Sequence, residues 1–177
     1  MNIKDLLLSC SVVHRPEAII EAVRRVAGEI MDALQNDSPV VLVVMRGGLY
    51  FAGQLLPLLP FPLELDYVDV ARYGDKQKGG VLEWRNFPFI PLVGRTVLVV
   101  DDIVDEGETL FAIHNWVMNA GAYACYSTTL FSKDTEKDKA WVPEFIGLSV
   151  PNKFVFGCGM DVEGYGRNLP AVYALGK

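Results

Sequence analysis

Two adjacent carboxylates that follow an apolar run form the part of this sequence best suited to chemistry. Asp101 and Asp102 come directly after residues 96–100, a run typical of a strand buried on both faces of a parallel sheet. The turn that follows contains Gly107 and opens a helix. Backbone N–H groups of such a turn, together with the positive end of the helix dipole, suit a phosphate group. The sequence therefore predicts a sugar-phosphate site, with the two carboxylates placed for hydroxyl groups or a metal ion.

The alternative for the same segment is an ordinary connection from strand to helix. Acidic residues are favoured in a first helical turn, which accounts for Asp105, Glu106 and Glu108. It does not account for Asp101 and Asp102, because ionised side chains at the end of a buried strand are costly unless they are paired. We therefore favour a binding site, which would comprise Asp101, Asp102, Asp105, Glu106, Gly107, Glu108 and Thr109.

This segment resembles the ribose-phosphate-binding motif of the type I phosphoribosyltransferases, which use phosphoribosyl pyrophosphate (PRPP). The family pattern is an apolar strand, two acidic residues, two apolar residues and then Asp-x-Gly-x-Thr, and residues 96–109 contain all of it. The resemblance implies the type I phosphoribosyltransferase fold of the α/β class. That fold has a central, mostly parallel sheet flanked by helices, with a small cap, or hood, from the chain ends. Two positions depart from the family: Asp101 replaces a more usual glutamate, and Glu106 stands where many relatives carry a hydroxyl residue.

A second loop, Arg46-Gly47-Gly48, follows the apolar run at 40–45. Glycine lets backbone approach a ligand closely, and the arginine guanidinium suits oxyanions. The loop resembles the pyrophosphate-binding loop of the same family, which usually reads Lys-Gly-Gly, so Arg46 replaces a lysine. The resemblance implies that Arg46 and Gly47 bind pyrophosphate. In that family the peptide bond before the basic residue is often cis.

The last third of the chain resembles the purine-binding end of the hypoxanthine-guanine phosphoribosyltransferases. The resemblance lies in Lys133 after a strand, in residues 150–157, in Asp161 and in Arg167. It implies that Lys133 donates to the 6-oxo group of the purine, that Phe154 stacks on the ring and that Val155 presents backbone groups to the base. Asp161 would belong to the purine-binding residues and hold a magnesium ion, and Arg167 would clamp pyrophosphate. Each residue alone has an ordinary alternative: a core phenylalanine, two solvated surface charges and a turn-forming aspartate.

The implied reaction transfers the 5-phosphoribosyl group from PRPP to hypoxanthine and/or guanine, giving IMP or GMP and pyrophosphate in purine salvage. Asp105 is the candidate general base. Mg²⁺ is the implied cofactor, with Asp101, Asp102 and Asp161 as candidate ligands. Residues 71–80, including Arg72 and Tyr73, would form a lid that excludes water, although relatives commonly have Ser-Tyr at those two positions.

Three other functions remain open at this point. The enzyme could prefer xanthine, or it could use a pyrimidine. A third possibility is a non-catalytic regulator that senses PRPP or a nucleotide, but such a protein should carry a nucleic-acid-binding module or a basic face. The formal net charge is −6, from 22 acidic and 16 basic residues, which argues against nucleic acid or an anionic membrane as a partner.

The chain of 177 residues suits one domain, with a core at about 38–145 and the hood from 1–14 and 146–177. We expect neither a secretory signal nor a membrane span. Cys10, Cys125 and Cys158 are odd in number and far apart, which predicts free thiols in a cytoplasmic protein. We interpret His14 and His114 as structural. The family suggests a homodimer or homotetramer, with the apolar helix at 49–59 as a candidate contact.

Hydrophobic periodicity predicts strands that alternate with helices, and therefore a parallel α/β sheet. Helical spacing is found at 16–34, 49–59 and 108–119. Strands are predicted at 40–45, 63–71, 81–85, 97–100, 123–131, 145–148 and 154–157.

Overall fold

Strands and helices alternate up to the strand Glu64–Tyr73, which begins a run of three strands, and one more helix then precedes the strand that ends at Lys133. The structure is a computed structural model that describes residues 9–73 and 81–176, without the side chains of residues 71–73 and 81–82. The helices are α1 (Pro16–Leu34), α2 (Gly48–Leu55) and α3 (Glu108–Asn119). The strands are β1 (Cys10–His14), β2 (Val40–Met45), β3 (Glu64–Tyr73), β4 (Val81–Asn86), β5 (Thr96–Val104), β6 (Ala124–Lys133), β7 (Phe145–Val150), β8 (Val155–Phe156) and β9 (Val172–Leu175).

A six-stranded sheet forms the centre of the molecule, in the order β4-β3-β2-β5-β6-β7. All neighbouring pairs are parallel except β3 with β4, which is antiparallel. The predicted α/β class with a mostly parallel sheet is therefore confirmed. Because β2, β5 and β6 run in one direction, the loops after their carboxyl ends meet at one edge of the sheet, where α/β proteins bind ligands.

The two ends of the chain build a second, smaller sheet in the order β1-β9-β8. Both of its pairings are antiparallel, with Cys10 opposite Leu175 and Val155 opposite Ala174. His14 Nε2 lies 2.6 Å from the carbonyl oxygen of Ser149, which ties this sheet to β7. The hood was expected from these parts of the chain, while its boundaries near residues 14, 38 and 145 remain a prediction.

Strand β5 is buried on both faces because helices cover both sides of the sheet. Leu98 and Val100 pack into the cluster that α1 and α2 form, whereas Val97 and Val99 pack into the cluster that includes α3. A run without polar alternation is what such a strand requires. None of the described helices is long and apolar enough to cross a membrane.

Two element boundaries differ from the sequence-based expectation. Strand β5 continues to Val104, because β6 is long enough to pair with it as far as the register Val104 opposite Ser132. Asp101 and Asp102 thus lie inside a strand and not after it. Helix α2 ends at Leu55 and passes into a 3₁₀ turn at Leu56–Leu58, as expected for a segment interrupted by prolines.

Strand β3 alternates between buried and exposed residues, as expected, but a carboxylate lies on the buried side. Asp66 is buried, and its oxygens accept hydrogen bonds from the backbone N–H groups of Tyr67 (2.8 Å), Phe89 (2.6 Å) and Ile90 (2.8 Å). The exposed side carries Leu65 and Tyr67. Backbone donors thus stabilise the acid and fix the chain that connects β4 to β5.

Arginine 25 of α1 covers part of the sheet edge formed by β7. Its Nη2 donates to the carbonyl oxygens of Ile146 at 3.0 Å and Gly147 at 2.5 Å, and its Nη1 donates to Glu29 at 2.7 Å. The helix is thereby held against this edge strand by polar as well as apolar contacts.

Candidate active site

The carboxyl ends of β2 and β5 enclose a cavity of about 300 Å³. Its lining comes mainly from two stretches of chain, residues 44–47 and 101–110, with Arg167 added from the hood. We call it the phosphate cavity. It brings together every residue predicted for phosphate or pyrophosphate binding: Arg46, Gly47, Asp101, Asp102, Asp105, Glu106, Gly107, Glu108, Thr109 and Arg167.

The turn into α3 depends on glycine at position 107. Gly107 has a φ of +80° and precedes the helix, and its carbonyl oxygen accepts the N–H of Phe111 at 2.9 Å. A Cβ at this position would lie 2.4 Å from the carbonyl oxygen of Trp141. The first N–H groups of α3 point out of the N-terminal end of the helix, which is the kind of position where proteins bind anions.

The loop at 46–48 lies directly against the paired acids. The Met45–Arg46 peptide bond is cis. A Cβ on Gly47 would lie 2.0 Å from the carboxylate Oδ2 of Asp102, so only glycine permits this approach. The pyrophosphate loop and the acidic pair predicted from separate motifs thus form one wall.

Asp101 is buried, Asp102 is partly buried, and the pair has little compensating charge. Burial and the neighbouring Asp102 raise the pKa of Asp101 well above its ordinary value, and burial also raises the pKa of Asp102. The positive charge of the Arg167 guanidinium lowers both pKa values, but by less than burial raises them. Two local hydrogen bonds hold the carboxylates: Asp102 N–H donates to Asp101 and Ile103 N–H donates to Asp102, each at 2.8 Å. Oxygen ligands that gain from added positive charge are suited to a hard cation.

A second cavity, of about 280 Å³, adjoins the first and shares Asp102, Ile103 and Asp105 with it. We call it the purine cavity. The remaining lining contains Met160 and the four residues predicted to bind the base: Lys133, Phe154, Val155 and Asp161. Phe154 is 44% exposed and so is not a core residue, whereas the Lys133 side chain is only 16% exposed and so is not a solvated surface charge.

Two ion pairs hold the charged groups of the cavities in place. Lys133 Nζ donates to the carboxylate Oδ2 of Asp105, so the candidate base and the candidate purine-binding lysine are in direct contact. Arg167 donates to Asp161 Oδ1 at 2.5 Å and to the carbonyl oxygen of Gly159 at 2.7 Å. The other oxygen of Asp161 accepts Gly164 N–H at 2.7 Å, so Asp161 also stabilises a turn, as its ordinary alternative proposed.

One residue that contacts the site was not singled out from the sequence. Lys139 Nζ donates to the carbonyl oxygens of Lys133 at 2.6 Å and Asp105 at 2.8 Å, and it lies 3.5 Å from Thr135 Oγ1. It belongs to a polar stretch after β6 that matches no motif. Ile103 and Met160 were not assigned a role either, because their part in the purine cavity depends on the folded chain.

The lid is a predicted part of the site that lies largely outside the described residues. The backbone of Arg72 and Tyr73 belongs to β3, which pairs with β4. Their side chains and residues 74–80 lie outside the described part of the chain. The lid therefore stays a prediction.

Comparison with known proteins gives a consistent result. Residues 10–163 match the family described as the phosphoribosyl transferase domain. A hypoxanthine-guanine-xanthine phosphoribosyltransferase of Tritrichomonas foetus is 31% identical over 93% of this chain and 90% of its own length. A hypoxanthine-guanine phosphoribosyltransferase of Aquifex aeolicus is 29% identical over 91% of this chain and 92% of its own length. The crystal structure of a hypoxanthine-guanine phosphoribosyltransferase from Bacillus anthracis, 25% identical, has a TM-score of 0.87 and covers 93% of this chain and 98% of that one.

Proposed function

The chain belongs to the phosphoribosyl transferase family, and on that premise we propose that it transfers the 5-phosphoribosyl group of PRPP to hypoxanthine or guanine. The products are IMP or GMP and pyrophosphate, and the reaction serves purine salvage. Relatives from distant organisms that cover at least nine-tenths of this chain carry the corresponding names.

The observation that carries the proposal is the contact between the two cavities at Asp102, Ile103 and Asp105. A sugar phosphate in the phosphate cavity would place its reactive carbon toward this shared wall. A flat base in the purine cavity would lie against Phe154 on the other side of it. Bringing two reactants together in a fixed orientation supplies a large part of the rate enhancement in such a transfer.

Asp105 is placed to act as the general base. In the free protein its carboxylate accepts a hydrogen bond from Lys133. A 6-oxopurine would give both residues better-matched partners, because its 6-oxo oxygen accepts from the ammonium while an imidazole N–H donates to the carboxylate. Adenine carries an amino group at the same position, and an ammonium group cannot accept a hydrogen bond from it. The pair therefore supports selection of a 6-oxopurine.

Charge stabilisation accounts for the departure of pyrophosphate. Arg46 and Arg167 both line the phosphate cavity, and both guanidinium groups suit phosphate oxygens. The transition state has oxocarbenium character, so the carboxylates at 101, 102 and 105 face a centre that becomes positive as the leaving group departs. Preorganised charges of this kind need not rearrange during the reaction.

Magnesium fits the donor set that the site provides. Among the described residues no three His, Cys, Asp or Glu side chains form a ready-made metal cluster. Mg²⁺ commonly takes one or two carboxylates and completes its shell with phosphate oxygens and water. Asp101 and Asp102 would hold the ion, whereas Asp161, the third candidate, lines the purine cavity and already accepts from Arg167 and from Gly164 N–H. When bound, the ion would supply neutralisation of the pyrophosphate charge.

A second copy of the chain is the partner we propose beside the small molecules, as a homodimer or homotetramer. Leu49 and Leu65 are 58% and 54% exposed, and with Tyr67 they line an apolar groove next to Met45. An apolar surface of this kind favours protein contact. Light scattering after gel filtration would measure the assembly.

Cys10, Cys125 and Cys158 are all free thiols, which supports a cytoplasmic location.

The test is ultraviolet spectroscopy of the purified protein with PRPP, Mg²⁺ and each of hypoxanthine, guanine, xanthine and adenine. We expect nucleotide formation from hypoxanthine or guanine and none from adenine. Xanthine is included because the Tritrichomonas foetus relative is named for all three 6-oxopurines. A rate that is highest with xanthine would replace the proposed specificity. Binding of PRPP without turnover of any base would indicate a sensor or a pyrimidine enzyme.

A further inference from the structure

A short segment after β6, residues 139–141, is bound to the phosphate turn by its backbone and by one ammonium group. Lys139 Nζ donates to the carbonyl oxygen of Asp105, and the backbone N–H of Ala140 donates to the carbonyl oxygen of Glu106, each at 2.8 Å. The backbone of Trp141 lies against the α-carbon of Gly107, where an added Cβ would meet it at 2.4 Å. Residues 139, 140 and 141 therefore contact residues 105, 106 and 107, in that order.

These contacts fix the direction in which the phosphate turn points its amides. In a planar trans peptide the carbonyl oxygen and the N–H of the next residue point in opposite directions. The segment holds the carbonyls of Asp105 and Glu106, so the N–H groups of Glu106 and Gly107 face away from it. Glu106 and Gly107 line the phosphate cavity, whereas Lys139 and Ala140 line neither cavity. The amides are thus directed toward the side where a phosphate would bind.

The same ammonium group also holds the purine side of the site. It donates to the carbonyl oxygen of Lys133 at 2.6 Å, and the side chain of Lys133 in turn donates to Asp105. A single cation therefore joins the backbone of the candidate base to the backbone of the residue that reads the purine. Thr135 Oγ1 lies 3.5 Å from the same Lys139 Nζ.

The segment has anchors that do not involve Lys139. Trp141 Nε1 donates to Ser127 Oγ at 2.9 Å, and the carboxylate of Glu144 accepts both the N–H and the hydroxyl of Ser127, at 2.7 and 3.0 Å. The Trp141 ring also packs on His114, with ring centroids 4.0 Å apart. The segment should therefore stay in place when the ammonium group is removed.

We propose that Lys139 is a positioning residue, which aligns the amides of the phosphate turn with the purine-binding lysine and so couples PRPP binding to base binding. The proposal deepens the proposed function and rests on it. It also addresses Glu106, which stands where relatives commonly have a hydroxyl residue: with no hydroxyl there, phosphate binding relies more on backbone amides, whose direction Lys139 maintains.

Calorimetric titration with PRPP and Mg²⁺ tests the proposal without any purine. We expect Lys139→Met to weaken PRPP binding about 10- to 100-fold, the loss of one or two charge-assisted hydrogen bonds. Lys139→Arg should recover most of the affinity, because its guanidinium keeps the charge and the donors. Lys137→Met removes an exposed lysine of the same stretch and should bind PRPP like the unmodified protein.

Steady-state kinetics then separates positioning from a merely structural role. In Lys139→Met the KM values for PRPP and for the base should both rise, while kcat changes less and the melting temperature stays near that of Lys137→Met. Lys139→Gln, which keeps a donor and most of the length, serves the same purpose if Lys139→Met does not fold.

Unchanged affinity for PRPP and unchanged KM values in Lys139→Met would overturn the proposal, and so would an equal loss in Lys139→Arg. Failure of the proposed function gives a different result. In that case the unmodified protein would bind PRPP and convert none of the 6-oxopurines, and the calorimetric comparison would still decide the role of Lys139.

Discussion

The phosphate cavity and the purine cavity touch, but they are built in opposite ways. The phosphate cavity takes most of its lining from one continuous stretch, residues 101–110, and presents backbone amides at the start of α3. The purine cavity collects side chains from short, separated stretches at 102–105, 133, 154–155 and 160–161. One half is therefore a local structure, while the other exists only when β5, β6 and the hood are assembled.

This difference decides how a substitution should act. Where the phosphate turn binds through its backbone, a side chain can change with modest effect as long as the backbone keeps its course, because the N–H groups belong to the turn. At the purine cavity each polar side chain makes its own contact with the base, so replacing it removes that contact. Asp105 lies in both linings and should be the most sensitive position of all.

The largest effect is expected for Asp105→Asn, at the boundary between the two cavities. General-base catalysis contributes about 10²- to 10⁴-fold, so kcat should fall by that order while the Kd for PRPP changes little. Nucleotide formation from hypoxanthine measures kcat, and calorimetric titration with PRPP measures the Kd. Asp138→Asn, an exposed acid nearby, serves as the control. Near-normal steady-state rates would remove Asp105 as the base.

Lys133→Met should act on the purine side alone. Loss of a hydrogen bond from a charged donor costs about 1.5–3 kcal/mol, so kcat/KM for hypoxanthine should fall about 10- to 150-fold. Discrimination against adenine should fall with it, while the Kd for PRPP should stay close to that of the unmodified protein. An equal loss for PRPP and the base would mean that the two cavities do not work as separate halves.

Gly107→Ala should act mainly on the phosphate side, and through the backbone. An alanine with a φ of +80° is strained, and its Cβ would meet the Trp141 carbonyl at 2.4 Å. We expect a loss of stability of about 1–3 kcal/mol and weaker PRPP binding. Gly28→Ala in α1 is the matched control, because an added Cβ there meets nothing within 4 Å. PRPP affinity equal to that of the control would contradict the importance of the turn.

The smallest effect is expected for Asp101→Asn, and it concerns stability. The pKa of Asp101 is raised in the folded protein, so the native state binds its proton more tightly than the unfolded chain does. Stability therefore falls as the pH rises from the ordinary aspartate range through the raised pKa. Asparagine removes this penalty, and its side-chain oxygen can still accept the Asp102 N–H.

Thermal melting between pH 5 and pH 9 measures that effect. Above the raised pKa the Asp101→Asn protein should be more stable by about 1 kcal/mol, while its turnover falls. The exposed Asp32→Asn of α1 should follow the unmodified protein at every pH. A melting temperature of Asp101→Asn that is no higher than that of Asp32→Asn at alkaline pH would show that the paired acids cost nothing.

Local signals in the sequence were sufficient for much of the fold. Periodicity placed the helices at 16–34 and 108–119 with the bounds that the structure has, because their buried faces repeat at helical spacing and each begins at a clear boundary. The extension of β5 to Val104 was not predicted, since it depends on the length of the neighbouring β6. Burial of Asp66 was likewise hidden, because two of its three amide donors are more than 20 residues away.

The site also has residues that could be predicted from the sequence and residues that could not. The phosphate motif could be recognised because its residues are consecutive, and the purine residues because they match a family pattern in order and spacing. Lys139 had neither signal. Its importance comes from two backbone carbonyls, and carbonyl positions leave no mark on residue type.

The contact of Arg25 with β7 affects how the molecule behaves among its own copies. An edge strand offers unpaired backbone groups to which another chain can add, and proteins commonly block such edges to avoid aggregation. Here the carbonyl oxygens of Ile146 and Gly147 are already bound to one guanidinium group. A strand from a second molecule would have to displace a charged, hydrogen-bonded side chain before it could extend the sheet, so this edge resists polymerisation.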